Sequence, residues 1–378
     1  MKKSLLALAV AAFAVSSAAS AATVYDQDGT SLAVYGRIQG VVYSQDSGKT
    51  GNTYGDTGLQ GSGRLGFDMR TPLTDGIAAF AKAEWEMADN GERGGSRTDD
   101  HFVSRYLWVG ADFGQYGQLK AGKFEDAVKY VLLPTDIFDD FGCNGQMDND
   151  DKRDGMFMYT WSGYGVTANV SYQTAKDGQQ VDGAWKVANK EKNEKLDIND
   201  AYAISLGYES GDVLFGPIGV RLGYAHTDFQ DDSASKSIFA SPNYDDYNQY
   251  AASLYWGSLN VGPYVGALYQ TRDFGMKTGN DYQVQGAEFV VAYGFENGVS
   301  LRAGYNWMNY DEDNGPDVEA HTVPVIAMYN ITPNFRVWGE ARFDVGTDDD
   351  AAVDKNFRAV TGQGFDENVY SIGARYTF

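Results

Sequence analysis

The sequence predicts an all-β chain built as a transmembrane, antiparallel, up-and-down β-barrel of sixteen strands. Three observations predict it. Sixteen segments carry the period-2 patterning of strands. The connections between them alternate between short turns and long polar loops, as they do when one rim of a barrel faces the periplasm and the other faces outward. After the N-terminal leader, no stretch approaches the roughly 18 consecutive apolar residues of a membrane-spanning helix. Any membrane residence then requires a closed barrel, because only helices and barrels satisfy their backbone groups in lipid.

Residues 1–21 read as a secretory signal peptide. Lys2 and Lys3 form the charged start, Ser4 to Val15 the apolar run, and Ala19-Ser20-Ala21 a small-residue cleavage site. The mature chain is expected to begin at Ala22 and to form one domain over 22–378, since no linker or composition break follows.

The strand segments fall at 32–43, 62–70, 77–87, 103–111, 117–123, 153–161, 165–173, 201–209, 214–226, 247–256, 259–270, 282–293, 298–309, 319–330, 334–343 and 368–378. In 32–43, Leu32, Val34, Ile38 and Val42 share a face opposite Tyr35, Arg37, Gln39 and Tyr43. In 298–309, Val299, Leu301, Ala303, Tyr305 and Trp307 oppose Ser300, Arg302, Gly304 and Asn306. Segment 153–161 is less regular: Arg153 shares its parity with Phe157, Tyr159 and Trp161. In the last segment Tyr370, Ile372, Ala374, Tyr376 and Phe378 share one apolar face. That aromatic-ended strand is similar to the closing strand of bacterial outer-membrane barrels. Short turns include 71–76, 112–116, 162–164, 257–258, 295–297 and 331–333; the long loops are 44–61, 88–102, 124–152, 174–200, 227–246, 271–281, 310–318 and 344–367.

Formal charge is -22, and loss of Lys2 and Lys3 with the leader takes it to -24. Such acidity argues against nucleic acid as a partner. The composition carries 45 Gly, 26 Tyr and 20 Phe against 8 Pro, which suits many twisted strands flanked by aromatic girdles. One cysteine, Cys143, rules out an internal disulfide framework. Acidic runs such as Asp311-Glu312-Asp313 lack the spacing of a calcium loop, so no metal and no cofactor are expected.

Taken in order, Val24-Tyr25-Asp26-Gln27-Asp28-Gly29, then Val34-Tyr35-Gly36-Arg37, Gly63-Arg64-Leu65-Gly66-Phe67, Arg105 with Val109-Gly110 and Phe113-Gly114, and the closing strand resemble the trimeric general diffusion porins of Gram-negative bacteria. The resemblance covers the whole mature chain. It implies a homotrimer in the outer membrane, in contact with lipid and lipopolysaccharide, that passes ions and small hydrophilic solutes. It also implies a third loop, here 124–152, folded into the barrel. That family's loop carries Pro-Glu-Phe-Gly-Gly where this chain has Asp139-Asp140-Phe141-Gly142-Cys143. The resemblance therefore gives Asp140 the acidic role, with Asp136 and Asp139 beside it, facing a basic ladder of Arg37, Arg64, Arg105 and Arg153 across the constriction. Phe378 closes the barrel, and Glu92 in loop 88–102 latches a neighbouring subunit.

The arginine assignment has a physical basis as well. An arginine on the lipid face near mid-membrane costs about 2–4 kcal/mol, so these side chains belong in the lumen. Net negative loops predict weak cation selectivity. A substrate-specific oligosaccharide porin is the alternative, and its mark would be a slide of aromatics made from residues such as Trp161, Trp256 and Trp338. An outer-membrane enzyme needs a histidine beside a nucleophile or acid, and only His101, His226 and His321 exist. The chain is therefore not read as an enzyme.

Overall fold

The computed structural model describes residues 21–44, 58–88, 102–147, 152–184, 195–230, 244–315, 317–347 and 368–378. Their strands are β1 (Ala22–Gln27), β2 (Thr30–Tyr43), β3 (Gly58–Thr74), β4 (Ile77–Ala88), β5 (Phe102–Asp112), β6 (Gln118–Phe124), β7 (Arg153–Gly163), β8 (Val166–Gln173) and β9 (Lys176–Gln180). They continue with β10 (Lys195–Val213), β11 (Gly216–Phe229), β12 (Tyr244–Gly257), β13 (Gly262–Met276), β14 (Tyr282–Gly294), β15 (Val299–Glu312), β16 (Asp317–Thr332), β17 (Phe335–Asp344) and β18 (Val369–Thr377). One helical turn, α1 (Lys129–Leu132), lies in the third long loop.

Sixteen strands, β2–β8 and β10–β18, make a closed antiparallel ring. Strand β8 pairs directly with β10, from Gln173↔Ala201 to Val166↔Tyr208. The ring closes where β18 meets β2, from Ser371↔Tyr43 to Thr377↔Arg37. Phe378 extends that seam: its N–H donates to the Gly36 carbonyl at 2.9 Å and its carbonyl accepts from the Gly36 N–H at 2.8 Å. Gly36 is needed there, because a Cβ would stand 2.5 Å from the Arg64 carbonyl and 2.7 Å from the Phe378 ring. Closure removes the unpaired edges that lipid cannot solvate.

All sixteen expected segments are strands, several of them longer than the pattern suggested. Two further strands lie outside the sixteen, one ahead of the first expected segment and one inside the loop expected at 174–200. Strand β1 folds back on β2, and β9 pairs with the start of β10.

The alternation sets which face meets lipid. Outward side chains such as Ile38 (64% exposed), Leu59 (72%) and Ile372 (72%) alternate with buried Gln39, Val41 and Ser371. Tyr172, Tyr202, Tyr250, Tyr269 and Tyr370 are also exposed on the outside, in an aromatic belt. The inner side is far from empty. Apolar clusters form there between the inner wall and the segments folded against it.

Candidate functional site

The third long loop leaves β6 and runs around the inside of the barrel. Asp126 caps its first turn, its carboxylate accepting from the Val128 N–H at 2.8 Å. Val128, Val131 and Leu132 pack on inward-facing Ala203, Ala225, Ala251 and Leu268. Wall groups then hold the backbone strand by strand. Arg221 donates to the Tyr130 carbonyl at 2.7 Å, Tyr264 to the Pro134 carbonyl at 2.6 Å, and Arg302 to the Ile137 carbonyl. Further on, the Glu340 carboxylate accepts from three successive loop N–H groups: Asp139 at 3.0 Å, Asp140 at 2.9 Å and Phe141 at 2.6 Å. The returning limb is held by Glu288, which accepts from the Gly145 N–H and the Gln146 amide, both at 2.9 Å. The loop thus follows most of the inner wall, from Ser171 of β8 to Ser371 of β18, and packs Phe141 on Val41 and Tyr43 of β2.

The wall of β2–β5 carries the charges. Arg37, Arg64 and Glu86 lie in one row across three strands, Arg37↔Arg64 and Arg64↔Glu86. Two like charges directly opposite are unfavourable in a sheet; Glu86 offsets them. It lies 3.1 Å from Arg64, 2.7 Å from Arg105 and 4.0 Å from Arg37. Glu84 takes the Arg105 Nε at 2.9 Å and the Tyr35 hydroxyl at 3.0 Å. Arg37, Arg64 and Arg105 are only partly buried, and so remain open to water. Lys82, in the same strand as Glu84, pairs with Asp68 at 3.2 Å.

Of the residues expected at the constriction, the structure brings Arg37, Arg64 and Arg105 together and leaves Arg153 elsewhere. Arg153 is 2% exposed; it donates to the Tyr247 hydroxyl at 2.7 Å and to Thr227 at 3.4 Å, on β12 and β11. Local backbone explains both its direction and that of Arg105. The β6–β7 register shifts between Gly122 and Phe124, and Gly155 sits at φ 74°, so parity breaks between Arg153 and Phe157. The β4–β5 register shifts too: Glu84 faces Tyr106 and Trp85 faces Ser104, leaving Arg105 as the extra residue. A β-bulge of this kind re-aims a side chain.

The loop carboxylates take partners other than the arginine ladder. Asp139 pairs with Arg336 at 2.5 Å and Arg375 at 2.8 Å, on the wall behind the loop. Asp140 accepts from Ser371 at 2.6 Å, the Trp338 indole at 2.8 Å and the Tyr43 hydroxyl at 3.0 Å. Asp136 is exposed and pairs with Lys129 of α1 at 3.1 Å; the Cys143 thiol donates to it at 3.2 Å. Burial disfavours the Lys129 ammonium, but Asp136 wins and holds its pKa above the ordinary value. Burial, then Asp136, pushes the Cys143 thiol up. Cys143 adopts φ 63°, the left-handed region that favours glycine, at the position where the porin motif has one. Glu92 lies outside the described residues.

Sequence reasoning missed Glu84, Glu86, Glu288 and Glu340. Lys82, Glu84 and Glu86 share one parity in β4, and an acid repeated at period 2 on the polar face is the signal that could have found them. The three tryptophans do not form a slide. The indoles of Trp161 and Trp256 donate to the carbonyls of Gln115 and Val213 beside the short turns, and Trp338 is buried against Asp140. Of the histidines, His226 lies beside Asn248 and His321 beside Tyr305 and Glu319.

A closed barrel with lipid-facing alternation, a charged inner wall and a loop folded along the rest of the lumen defines an outer-membrane channel. The chain belongs to the Gram-negative porin family, whose model matches residues 7–350. It is 26% identical to the outer membrane porin PhoE of Enterobacter cloacae, over 87% of this chain and 99% of that one. It is also 26% identical to porin-like protein L of Photobacterium profundum, over all of both chains. Among solved structures, Salmonella typhi OmpF in complex with daunomycin superposes with a TM-score of 0.72 at 18% identity, over 94% of this chain and all of that one. An anion-selective porin from Comamonas acidovorans gives 0.66 at 16% identity, over 92% and 100%. These structural likenesses show the fold. The protein is an outer-membrane porin and not an enzyme.

Proposed function

We propose that this porin is a general diffusion channel for ions and small hydrophilic solutes, weakly cation-selective, with its constriction between the third loop and the β2–β5 wall. The observation that carries the reading is the pairing of Arg37, Arg64 and Arg105 with Glu84 and Glu86. These are partly exposed arginines backed by buried carboxylates, on a stretch of wall that among the described residues meets the loop mainly at its edges, through Tyr43 and Tyr106. Permanently charged guanidinium groups beside carboxylates orient water and small dipoles, while apolar solutes lose ordered water on passing. With the arginines largely compensated locally, the acidic mouth sets the sign of selectivity. Screening limits its reach to about 8–10 Å at ordinary salt.

In this reading Asp136 faces the channel, whereas Asp139 and Asp140 fix the loop to the wall, and Arg153 anchors the opposite arc. The chain is exported by residues 1–21, matures at Ala22 and assembles as a homotrimer seated in lipid and lipopolysaccharide. A Vibrio cholerae OmpT structure, at TM-score 0.64 and 15% identity, is described as a trimer form. Glu92 is kept as the latch acid between subunits. Reversal potentials in planar bilayers under a salt gradient test the reading. Cation preference that fades as salt rises is expected, and anion preference at low salt would overturn it.

A further inference from the structure

The segment that follows β8 also turns inward, at the other end of the lumen from the short turns. Six consecutive strands, β11 to β16, present large apolar side chains to the lumen near their loop ends: Phe229, Tyr247, Phe274, Tyr282, Tyr310 and Val318. All six are buried, none more than 4% exposed. Apolar rings facing a water-filled mouth would forfeit about 25 cal/mol for each Å² left wet. They are covered instead. Val181 and Ala184, 2% and 1% exposed, pack into that cluster, joined by Leu196 at the start of β10 and Met147 at the end of the third loop.

Polar hooks fix the cover in place. The Tyr282 hydroxyl donates to the Gly183 carbonyl at 2.9 Å, and Arg272 donates to the Asp182 carbonyl at 2.6 Å. Arg272 is itself buried, its guanidinium 4.2 Å from the Tyr247 ring centroid. Asp197 accepts the Gly178 N–H at 2.7 Å, and the Gln179 amide accepts the Asp154 N–H at 3.0 Å. Gly183 is seated so closely that a Cβ would lie 3.3 Å from Phe274, and its φ is 84°.

We infer that residues 176–184 form a fixed shelf, a second size-selecting element that closes the β11–β16 side of the mouth and directs solutes to the β2–β5 side. Shelf and third loop share one apolar core through Met147, so the channel is narrowed at two levels by one packed unit. Among the described residues, the path left open runs along the arginine and glutamate wall. The shelf therefore governs which solutes reach that wall, while the charges there govern which ions pass.

Two variants and one label test this. Replacing residues 177–183 by a short Gly/Ser turn removes the shelf; Arg272→Leu with Tyr282→Phe removes two hooks and keeps the chain length. Both are measured beside the parent by single-channel conductance and by liposome swelling with sugars of rising size. The shelf requires higher conductance and several-fold faster swelling for the larger sugars, with little change for the smallest. Should the shortened chain fail to assemble, the double variant and the label decide. Val181→Cys in a Cys143→Ser background is treated with a bulky membrane-impermeant maleimide: slow labelling that becomes fast when the hooks are removed supports the shelf. Parent-like swelling and conductance in assembled variants, or fast labelling of Val181→Cys with the hooks intact, overturns it.

Discussion

The two arcs of this barrel wall obey the same alternation and use it oppositely. From β2 to β5 the inward face bears Arg37, Arg64, Asp68, Lys82, Glu84, Glu86 and Arg105, paired with one another. From β10 to β17 the inward face is rich in tyrosine, phenylalanine, alanine and methionine, and chain from the third loop and the 176–184 segment covers it. A strand pattern tells inside from outside, but it does not tell wet from dry. The inner face is wet where its charges satisfy each other across adjacent strands and dry where it offers apolar area and buried hooks for a backbone to dock on. Glu288 and Glu340 belong to the dry arc even though they are charged, because loop N–H groups fill their acceptor sites.

The comparison breaks most severely at Glu340. Glu340→Ala leaves three loop N–H groups without their acceptor, and each unmet buried donor costs about 1–3 kcal/mol. The third loop should loosen near Asp140, with larger and noisier single-channel currents and a lower melting temperature; quiet parent-like currents would show that the carboxylate does not hold the loop.

On the wet arc, Arg105→Ala removes partners from both Glu84 and Glu86. Larger sugars should pass faster and cation preference should strengthen, read from swelling and reversal potential. The barrel should still assemble with some loss of stability, since Glu86 keeps Arg64 and Glu84 keeps the Tyr35 hydroxyl, although both are buried carboxylates that lose a charged partner. A shift toward anions would refute the local compensation.

Asp140→Asn discriminates the arcs further. All three recorded bonds to this carboxylate are accepted, from Ser371, Trp338 and Tyr43. An amide offers one acceptor oxygen, so the variant should lose about 1–3 kcal/mol of local stability and show little change in selectivity. A large drop in cation preference would instead put Asp140 at the water-filled face.

The smallest effects concern protons on the loop. Burial raises the Glu125 carboxyl, but Lys152 at 3.1 Å and the Tyr106 hydroxyl more than reverse this, so its pKa falls below the ordinary value. Its stabilising share is complete above the unfolded value of about 4.3 and is lost as pH falls through the lower folded value. Glu125→Gln should therefore flatten the loss of stability on acidification below that point. Cys143, with its pKa raised, should alkylate slowly at neutral pH and faster in Asp136→Asn, because the thiolate is the reactive form.

Much of this was legible in the residues. Period-2 patterning located all sixteen barrel strands and the inward direction of Arg37 and Arg64. Bulges hid the rest of the ladder: an inserted residue reverses parity, so Arg105 shares its parity with lipid-facing Leu107 and Val109 yet points inward. Arg153 was grouped with the ladder by motif position alone, and tertiary packing sent it to Tyr247. The partners of Asp139 and Asp140 were illegible because they come from β17, β18 and β2, far away in the chain. Strand β9 was missed because a short segment among polar residues gains its order from the aromatic surface beneath it.

The seam between β18 and β2 has a consequence for assembly. The Arg375 side chain donates to Gln39 there across 336 residues of chain. Every other junction in the ring joins strands that are consecutive, or at β8 and β10 separated only by β9, so they can zip locally, one hairpin after another. The seam alone waits for the whole sheet to curl, and until then β2 and β18 are both raw edges open to pairing with another molecule. Assembly is therefore all or none at its last step. A change that weakens the seam, at Gly36 or Ser371 for instance, lowers the yield of finished barrels rather than softening the ones that form, and its trace is aggregate rather than an altered channel.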